Sequence, residues 1–164
     1  MSKIRAGDTA PNFELNDTYG KRVSLREALS RGPVVAAFFK VSCPTCQFTF
    51  PFLQRLFQTY GSDHTTFLAI SQDDAGDTRE FCAEYGLGFT VLVDDEGYPA
   101  SNEYGLTNVP TIYLIASDGS VQVDSVGFGK KALEKIAEEL ARVQGRAAVP
   151  LFKPDEVVPD AKPG

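Results

Sequence analysis

The chain is poor in the residues that build metal centres. Among its 164 residues there is one histidine, His64, and there are three cysteines, Cys43, Cys46 and Cys82. A structural zinc ion takes about four such ligands at regular spacing, and only Cys43 and Cys46 lie near each other, so no metal site is expected. An odd, small number of cysteines also excludes a disulfide framework. Nowhere does the sequence run to the roughly 20 consecutive apolar residues of a membrane-spanning helix. Lysine and arginine do not cluster and the formal charge is -6, which argues against nucleic acid as a partner. The start, Met1 to Asp8, lacks the apolar segment of a secretory signal, which points to the cytoplasm.

What is present is a soluble-protein composition, 43% hydrophobic and 23% charged, in a chain long enough for one domain with a real core. Apolar runs alternate with helical periodicity, the signature of an α/β domain. Phe13 to Leu15 and Lys21 to Leu25 flank Asn16-Asp17-Thr18-Tyr19-Gly20 and predict a short N-terminal hairpin, with one helical turn from Leu25 to Leu29. Val34 to Phe39 shows no polar alternation, as expected of a strand buried on both faces. Thr66 to Ile70, Thr90 to Val93 and Thr111 to Ile115 predict three more strands. Val121 to Val126 pairs with the last of these through the turn Ser117-Asp118-Gly119-Ser120. Helices are expected from about Pro44 to Tyr60, from near Asp77 to Gly86, and from about Lys130 to Val143. From Arg146 onward four prolines interrupt a polar stretch. Residues 146–164 read as a tail, disordered or strapped across a domain formed by 1–145, with Val149, Leu151 and Phe152 as possible anchors.

Cys43-Pro44-Thr45-Cys46 falls where the Val34 to Phe39 run gives way to a helical pattern. Two thiols at this spacing can close a small disulfide ring. Pro44 suits the first helical position because its missing N–H costs nothing there. The following amides and the helix dipole favour negative charge on the Cys43 sulfur, and Lys40 can add a positive charge. A thiolate is the species that attacks a disulfide. Cys43 is therefore the expected nucleophile, and Cys46, one turn deeper, the expected resolving cysteine. Pro51 lies inside the helix, where proline removes a hydrogen bond; a break there would project the first turn outward. Val109-Pro110-Thr111 opens the strand Thr111 to Ile115 with an X-Pro bond that can be cis.

Together, CxxC after a buried strand, Pro51, and Val-Pro-Thr before a later strand resemble the thioredoxin superfamily. The opening Gly7-Asp8-Thr9-Ala10-Pro11-Asn12-Phe13-Glu14-Leu15, with Asp17, Gly20 and Val23-Ser24-Leu25, is similar to the alkyl hydroperoxide reductase/thiol-specific antioxidant (AhpC/TSA) family and its thioredoxin-like oxidoreductases. The resemblance spans roughly residues 5 to 143. It implies a thioredoxin-like fold with an N-terminal hairpin, a thiol-disulfide oxidoreductase that needs no cofactor beyond the Cys43–Cys46 disulfide, and a cis Pro110 facing the cysteines. Val109, Pro110 and Thr111 would then offer backbone to a substrate, while Lys40, Pro44, Thr45 and Pro51 support the site. Expected partners are a protein or small-thiol disulfide and an electron donor, with the protein acting as a monomer.

The departures are informative. Peroxidases of this family carry a proline and a threonine seven and three residues before the peroxidatic cysteine; relative to Cys43 those places hold Ala36 and Lys40. A thiol peroxidase using Cys43 is thus the second reading, and a non-enzymatic docking module the third. Thioredoxins carry a buried aspartate where Ala37 stands. Cytochrome-maturation relatives often carry a glutamate where Thr49 stands and usually a tryptophan where Ser42 stands. The base for Cys46 is therefore unassigned. Cys82 reads as a packing residue and His64 as a solvated turn residue. Asp73-Asp74-Ala75-Gly76-Asp77 lacks calcium-loop spacing and reads as a connection with a helix cap, and Asp94-Asp95-Glu96-Gly97 as an acidic turn.

Overall fold

Residues 3–164 are described by a computed structural model; Met1 and Ser2, the start of the expected 1–145 domain, lie outside the described residues. The elements follow in the order β1 (Glu14–Asn16), β2 (Arg22–Ser24), α1 (Leu25–Leu29), β3 (Val34–Phe39), α2 (Pro44–Tyr60), β4 (Thr66–Ser71) and α3 (Ala75–Tyr85). They continue with β5 (Thr90–Val93), α4 (Pro99–Tyr104), β6 (Thr111–Ile115), β7 (Val121–Val126), β8 (Phe128–Gly129), α5 (Lys130–Val143) and β9 (Ala161–Lys162). The central sheet has the order β5-β4-β3-β6-β7; β3 runs parallel to β4 and antiparallel to β6.

Strand β3 lacks polar alternation because both its faces are covered. Val35, Ala37 and Phe39 join a core with Phe50, Leu53 and Leu56 of α2, Phe81 of α3 and Leu133, Ile136 and Leu140 of α5. Val34, Ala36 and Phe38 join a second core with Leu25 and Ala28 of α1 and Ala100 and Tyr104 of α4. Each fully buried large apolar side chain contributes about 1.5–3 kcal/mol, so the layers on both faces hold β3 in place. The N-terminal hairpin forms as expected, with Leu15 opposite Val23, and Ser24 caps α1 by accepting the Glu27 amide.

Two expectations change and one is decided. Helix α3 begins at Ala75 rather than near Asp77, because the Asp74 side chain is the N-cap and accepts the Asp77 amide at 2.8 Å. Helix α2 has its expected bounds, Pro44 to Tyr60, and of the two readings of Pro51, a break or a tolerated proline, the second holds. Pro51 is exposed, so its ring lies on the solvent side of the helix, where the lost hydrogen bond is tolerated. Helix α4 is an addition. It forms because Asp94, read as part of an acidic turn, is 1% exposed and accepts the amides of Ala100 and Ser101 at 3.0 and 2.9 Å.

Residues 146–164 are laid along the domain. Phe152 meets Phe52 and Phe128 with ring centroids 5.0 and 6.3 Å apart. Arg55 holds Glu156 through two bonds of 2.7 Å. The segment ends as β9, antiparallel to β8.

Candidate active site

Parallel β3 and β4 and antiparallel β6 bring three chain segments to one end of the sheet: the residues after β3, those after β4, and those before β6. Cys43 follows β3, Asp73 follows β4, and Pro110 precedes β6. The ends of strands beside a helix N-terminus are where open α/β sheets place their chemistry.

Cys43 is the N-cap of α2, with extended backbone and Pro44 as the first helical residue. Its sulfur accepts the Cys46 amide at 3.1 Å, and its thiol donates to the Val109 carbonyl at 3.5 Å. Cys43 is half-buried and Cys46 fully buried; both are free thiols. The Cys46 thiol is pushed well above its ordinary range, first by burial, then by the hydrogen bond and charge of Cys43, with a further push from the Asp73 carboxylate. The two sulfurs therefore occupy different settings, one at a helix terminus facing a cavity and one in the core.

The Val109–Pro110 peptide is cis, as the resemblance implied. Thr111 is buried and its hydroxyl donates to the Asn108 carbonyl at 2.7 Å. Thr45 donates to the Pro163 carbonyl at 2.6 Å. Lys40 is exposed, its carbonyl accepts the Cys43 amide at 3.3 Å, and its side chain lines the same cavity as Cys43. That cavity, about 540 Å³, is also lined by Ser42, Gln72, Tyr98, Asn102 and Asn108. Pro51 lies more than a helical turn from the cysteines and lines no part of it.

Asp73 escaped the sequence reading as a site residue. Its carboxylate accepts the Val41 amide at 2.8 Å, its own amide donates to Ser71 Oγ at 3.0 Å, and Gln47 Nε2 donates to the Val41 carbonyl at 2.9 Å. These bonds hold the loop that carries Cys43. The available signal was positional, since a residue just past β4 must lie beside the residues just past β3. Ala37 and Thr49, where relatives carry carboxylates, are both buried, and Thr49 spends its hydroxyl on the Thr45 carbonyl at 2.6 Å. Ala36, seven residues before Cys43, is buried within β3, so no proline stands there to shape a peroxide pocket.

Cys82 packs at the edge of the α2–α5 core and opens on a different cavity, with Thr18, Tyr19 and Arg79, that shares no lining residue with the Cys43 cavity. His64 is exposed. Among the described residues no group of three histidine, cysteine or acidic side chains is arranged to hold a metal ion, and no helix is long and apolar enough to cross a membrane.

Residues 6–124 match the AhpC/TSA family. The chain belongs to that family. Over 139 residues it is 31% identical to a protein of Halalkalibacterium halodurans named thiol-disulfide oxidoreductase ResA, covering 84% of this chain and 78% of that one. A crystal structure from Chlorobium tepidum, described as a thiol:disulfide interchange protein DsbE, superposes with a TM-score of 0.74 at 28% identity over 86% of this chain and 98% of that one. A secreted disulfide oxidoreductase of Mycobacterium tuberculosis shares the fold with a TM-score of 0.66 at 23% identity, covering 79% of this chain and 95% of that one. The fold is thus thioredoxin-like.

Proposed function

We propose that this AhpC/TSA family member is a thiol-disulfide oxidoreductase working through Cys43 and Cys46. The observation that carries the reading is the asymmetry of the pair: Cys43 caps a helix beside a cavity with the Cys46 amide on its sulfur, while Cys46 is buried as a thiol. ResA-named relatives support the same reaction class.

In the reductive direction the Cys43 thiolate attacks one sulfur of a substrate disulfide. The substrate S–S bond breaks, and the departing sulfur leaves as a thiolate and takes a proton. Cys46 then gives up its proton and attacks Cys43 Sγ. The mixed disulfide breaks, the second substrate thiol leaves, and the Cys43–Cys46 disulfide holds the oxidation. Two electrons have moved from protein to substrate, and an external dithiol donor restores the pair. Val109 and Pro110 form the wall against which the substrate sulfur lies, with Thr111 fixing that loop. Lys40 contributes positive charge, and Pro44 and Thr45 start the helix.

We place the protein in the cytoplasm as a monomeric reductant of protein or small-thiol disulfides. Because a secreted protein shares the fold, the compartment has its own test: alkylation of thiols in intact cells finds the pair reduced if the placement is right and oxidised if it is wrong.

The test of the reaction is a redox titration of the pair against glutathione, read by alkylation and mass spectrometry. A reversible two-electron transition near roughly -270 mV is expected of a reductant, whereas one near roughly -120 mV makes it an oxidant. No reversible Cys43–Cys46 disulfide would remove the reading and favour peroxide turnover.

A further inference from the structure

We infer that residues 159–164 make this enzyme selective for small acidic disulfides over disulfides carried on polypeptide chains. The inference rests on the oxidoreductase reading above and narrows its substrate.

An extended substrate chain reaching Cys43 must lie along the backbone of Val109, the residue whose carbonyl faces the Cys43 sulfur. That edge is already taken. A Cβ on Gly164 would stand 2.5 Å from the Val109 carbonyl oxygen, so the Gly164 backbone rests directly against it. Asn108 Nδ2 donates to the Gly164 carbonyl at 3.5 Å. One residue back, the Pro163 carbonyl accepts the Thr45 hydroxyl at 2.6 Å. The segment therefore touches both halves of the site, the CxxC turn and the loop before β6.

The segment is fastened along its length. Lys162 Nζ sits 4.8 Å from the Phe48 ring centroid. Ala161 and Lys162 pair with Gly129 and Phe128, and the Asp160 carbonyl accepts the Lys130 amide at 2.9 Å. Arg55 and Phe52 hold Glu156 and Phe152 upstream. Displacing it means breaking these contacts together.

What stays open beside Cys43 is the cavity of about 540 Å³, within the usual size of small-molecule sites. Its lining includes one cation, Lys40, the amides of Gln72, Asn102 and Asn108, and the backbone of Gly164 from the strap, and no acidic side chain. In a protein of net charge -6, a site wall without acidic side chains suits an anionic ligand. A short peptide disulfide bearing carboxylates, such as glutathione disulfide, has the matching chemistry. Cys43 attacks one of its sulfurs and one glutathione leaves as thiolate and is protonated. Cys46 then displaces the second glutathione from Cys43, and dithiothreitol in the assay re-reduces the protein disulfide.

The experiment compares kcat/KM for glutathione disulfide and for insulin in the full chain and in a chain ending at Val158, each with dithiothreitol as donor. The full chain should favour glutathione disulfide. Removal of residues 159–164 should raise the ratio of kcat/KM for insulin to that for glutathione disulfide about tenfold. The double variant E156Q/K162E loosens the strap at full length and should move the same ratio in the same direction, so a shortened chain that fails to fold does not decide the matter. K40Q should raise KM for glutathione disulfide by a larger factor than for the uncharged bis(2-hydroxyethyl) disulfide. An unchanged insulin-to-glutathione ratio in both strap variants would overturn this inference alone. Reduction of neither substrate by the full chain would overturn the oxidoreductase reading and this inference with it.

Discussion

The amide of Cys46 donates to the sulfur of Cys43 across 3.1 Å, so the buried cysteine supports charge on the half-buried one before it ever attacks it. The two thiols are chemically unequal through one hydrogen bond and one difference in burial. Cys43→Ser should abolish dithiol-driven disulfide reduction. Cys46→Ser keeps the amide in place and should retain the first attack, accumulating a stable mixed disulfide at Cys43 visible by intact-mass spectrometry. Mixed disulfide on Cys46 in a Cys43→Ser protein would reverse the assignment.

Because the Cys46 thiol is raised by burial and then by Cys43, its thiolate is scarce near neutrality. Resolution of the mixed disulfide should accelerate with pH, approaching tenfold per unit through the range where the thiol is mostly protonated, as followed by quenched-flow alkylation. The same shift links to stability. A raised folded value means the reduced protein is fully stabilised below the ordinary thiol value of about 9 and loses that contribution as pH rises past it. Reduced protein should therefore lose Tm above about pH 9, and the Cys46→Ser protein should lose less. Equal losses would remove Cys46 as the cause.

Asp73 adds negative charge to the surroundings of Cys46 while its carboxylate holds the Val41 amide. Asp73→Asn keeps an oxygen for that amide and removes the charge. Cys46 should ionise more readily, so resolution should speed up about threefold to tenfold at pH 7, with its pH profile moved to lower pH. A slower resolution with an unmoved profile would instead make Asp73 the group that accepts the Cys46 proton.

Much of the site is legible in the sequence, and the reason is local. Cys43, Pro44 and Cys46 sit in one turn, so their relation follows from spacing alone, and the burial of Val34 to Phe39 follows from missing alternation. Asp73, Asp94 and Pro163 could not be read in this way. Asp73 meets Val41 across 32 positions and Pro163 meets Thr45 across 118, distances at which only strand order and the tail's path decide contact. Asp94 reads as one acidic residue of a turn, and only the helix whose first amides it accepts accounts for its burial. Helix α2 survived Pro51 for a reason invisible to propensity, namely which way that residue faces.

Glu156 is held at about 2, first by hydrogen bonds from Arg55 and then by the Lys153 amide. A depressed carboxylate contributes stability above its ordinary value of about 4.5, and that contribution is lost as pH falls through about 2. The tail should therefore loosen between these values while the core persists. Amide exchange in residues 150–162 should rise over this interval in the native protein. In Glu156→Gln it should already be raised at pH 7 and change little on acidification. Exchange that is independent of pH in the native protein would show that Phe152 and the β8–β9 pairing suffice to hold the tail.

Thr49 occupies the place where the family resemblance implies a glutamate, and here that place is buried and uncharged. The residue is completely buried and its hydroxyl is bonded to the Thr45 carbonyl at 2.6 Å. Thr49→Glu would set a larger, ionisable group beside Cys46 without a cation to pair with it. Burying an unpaired polar group costs roughly 1–3 kcal/mol and an unpaired charge considerably more, so the variant should unfold at markedly lower denaturant than native protein and bind a proton to survive. Thr49→Val removes only the hydroxyl and leaves the Thr45 carbonyl its helical partner, at a cost of about 1 kcal/mol. Chemical denaturation of the two variants separates these costs. If Thr49→Glu matches the native protein in stability and also speeds resolution by Cys46, the buried pocket adapts to a carboxylate, and the threonine is a substitution the fold tolerates rather than one it requires.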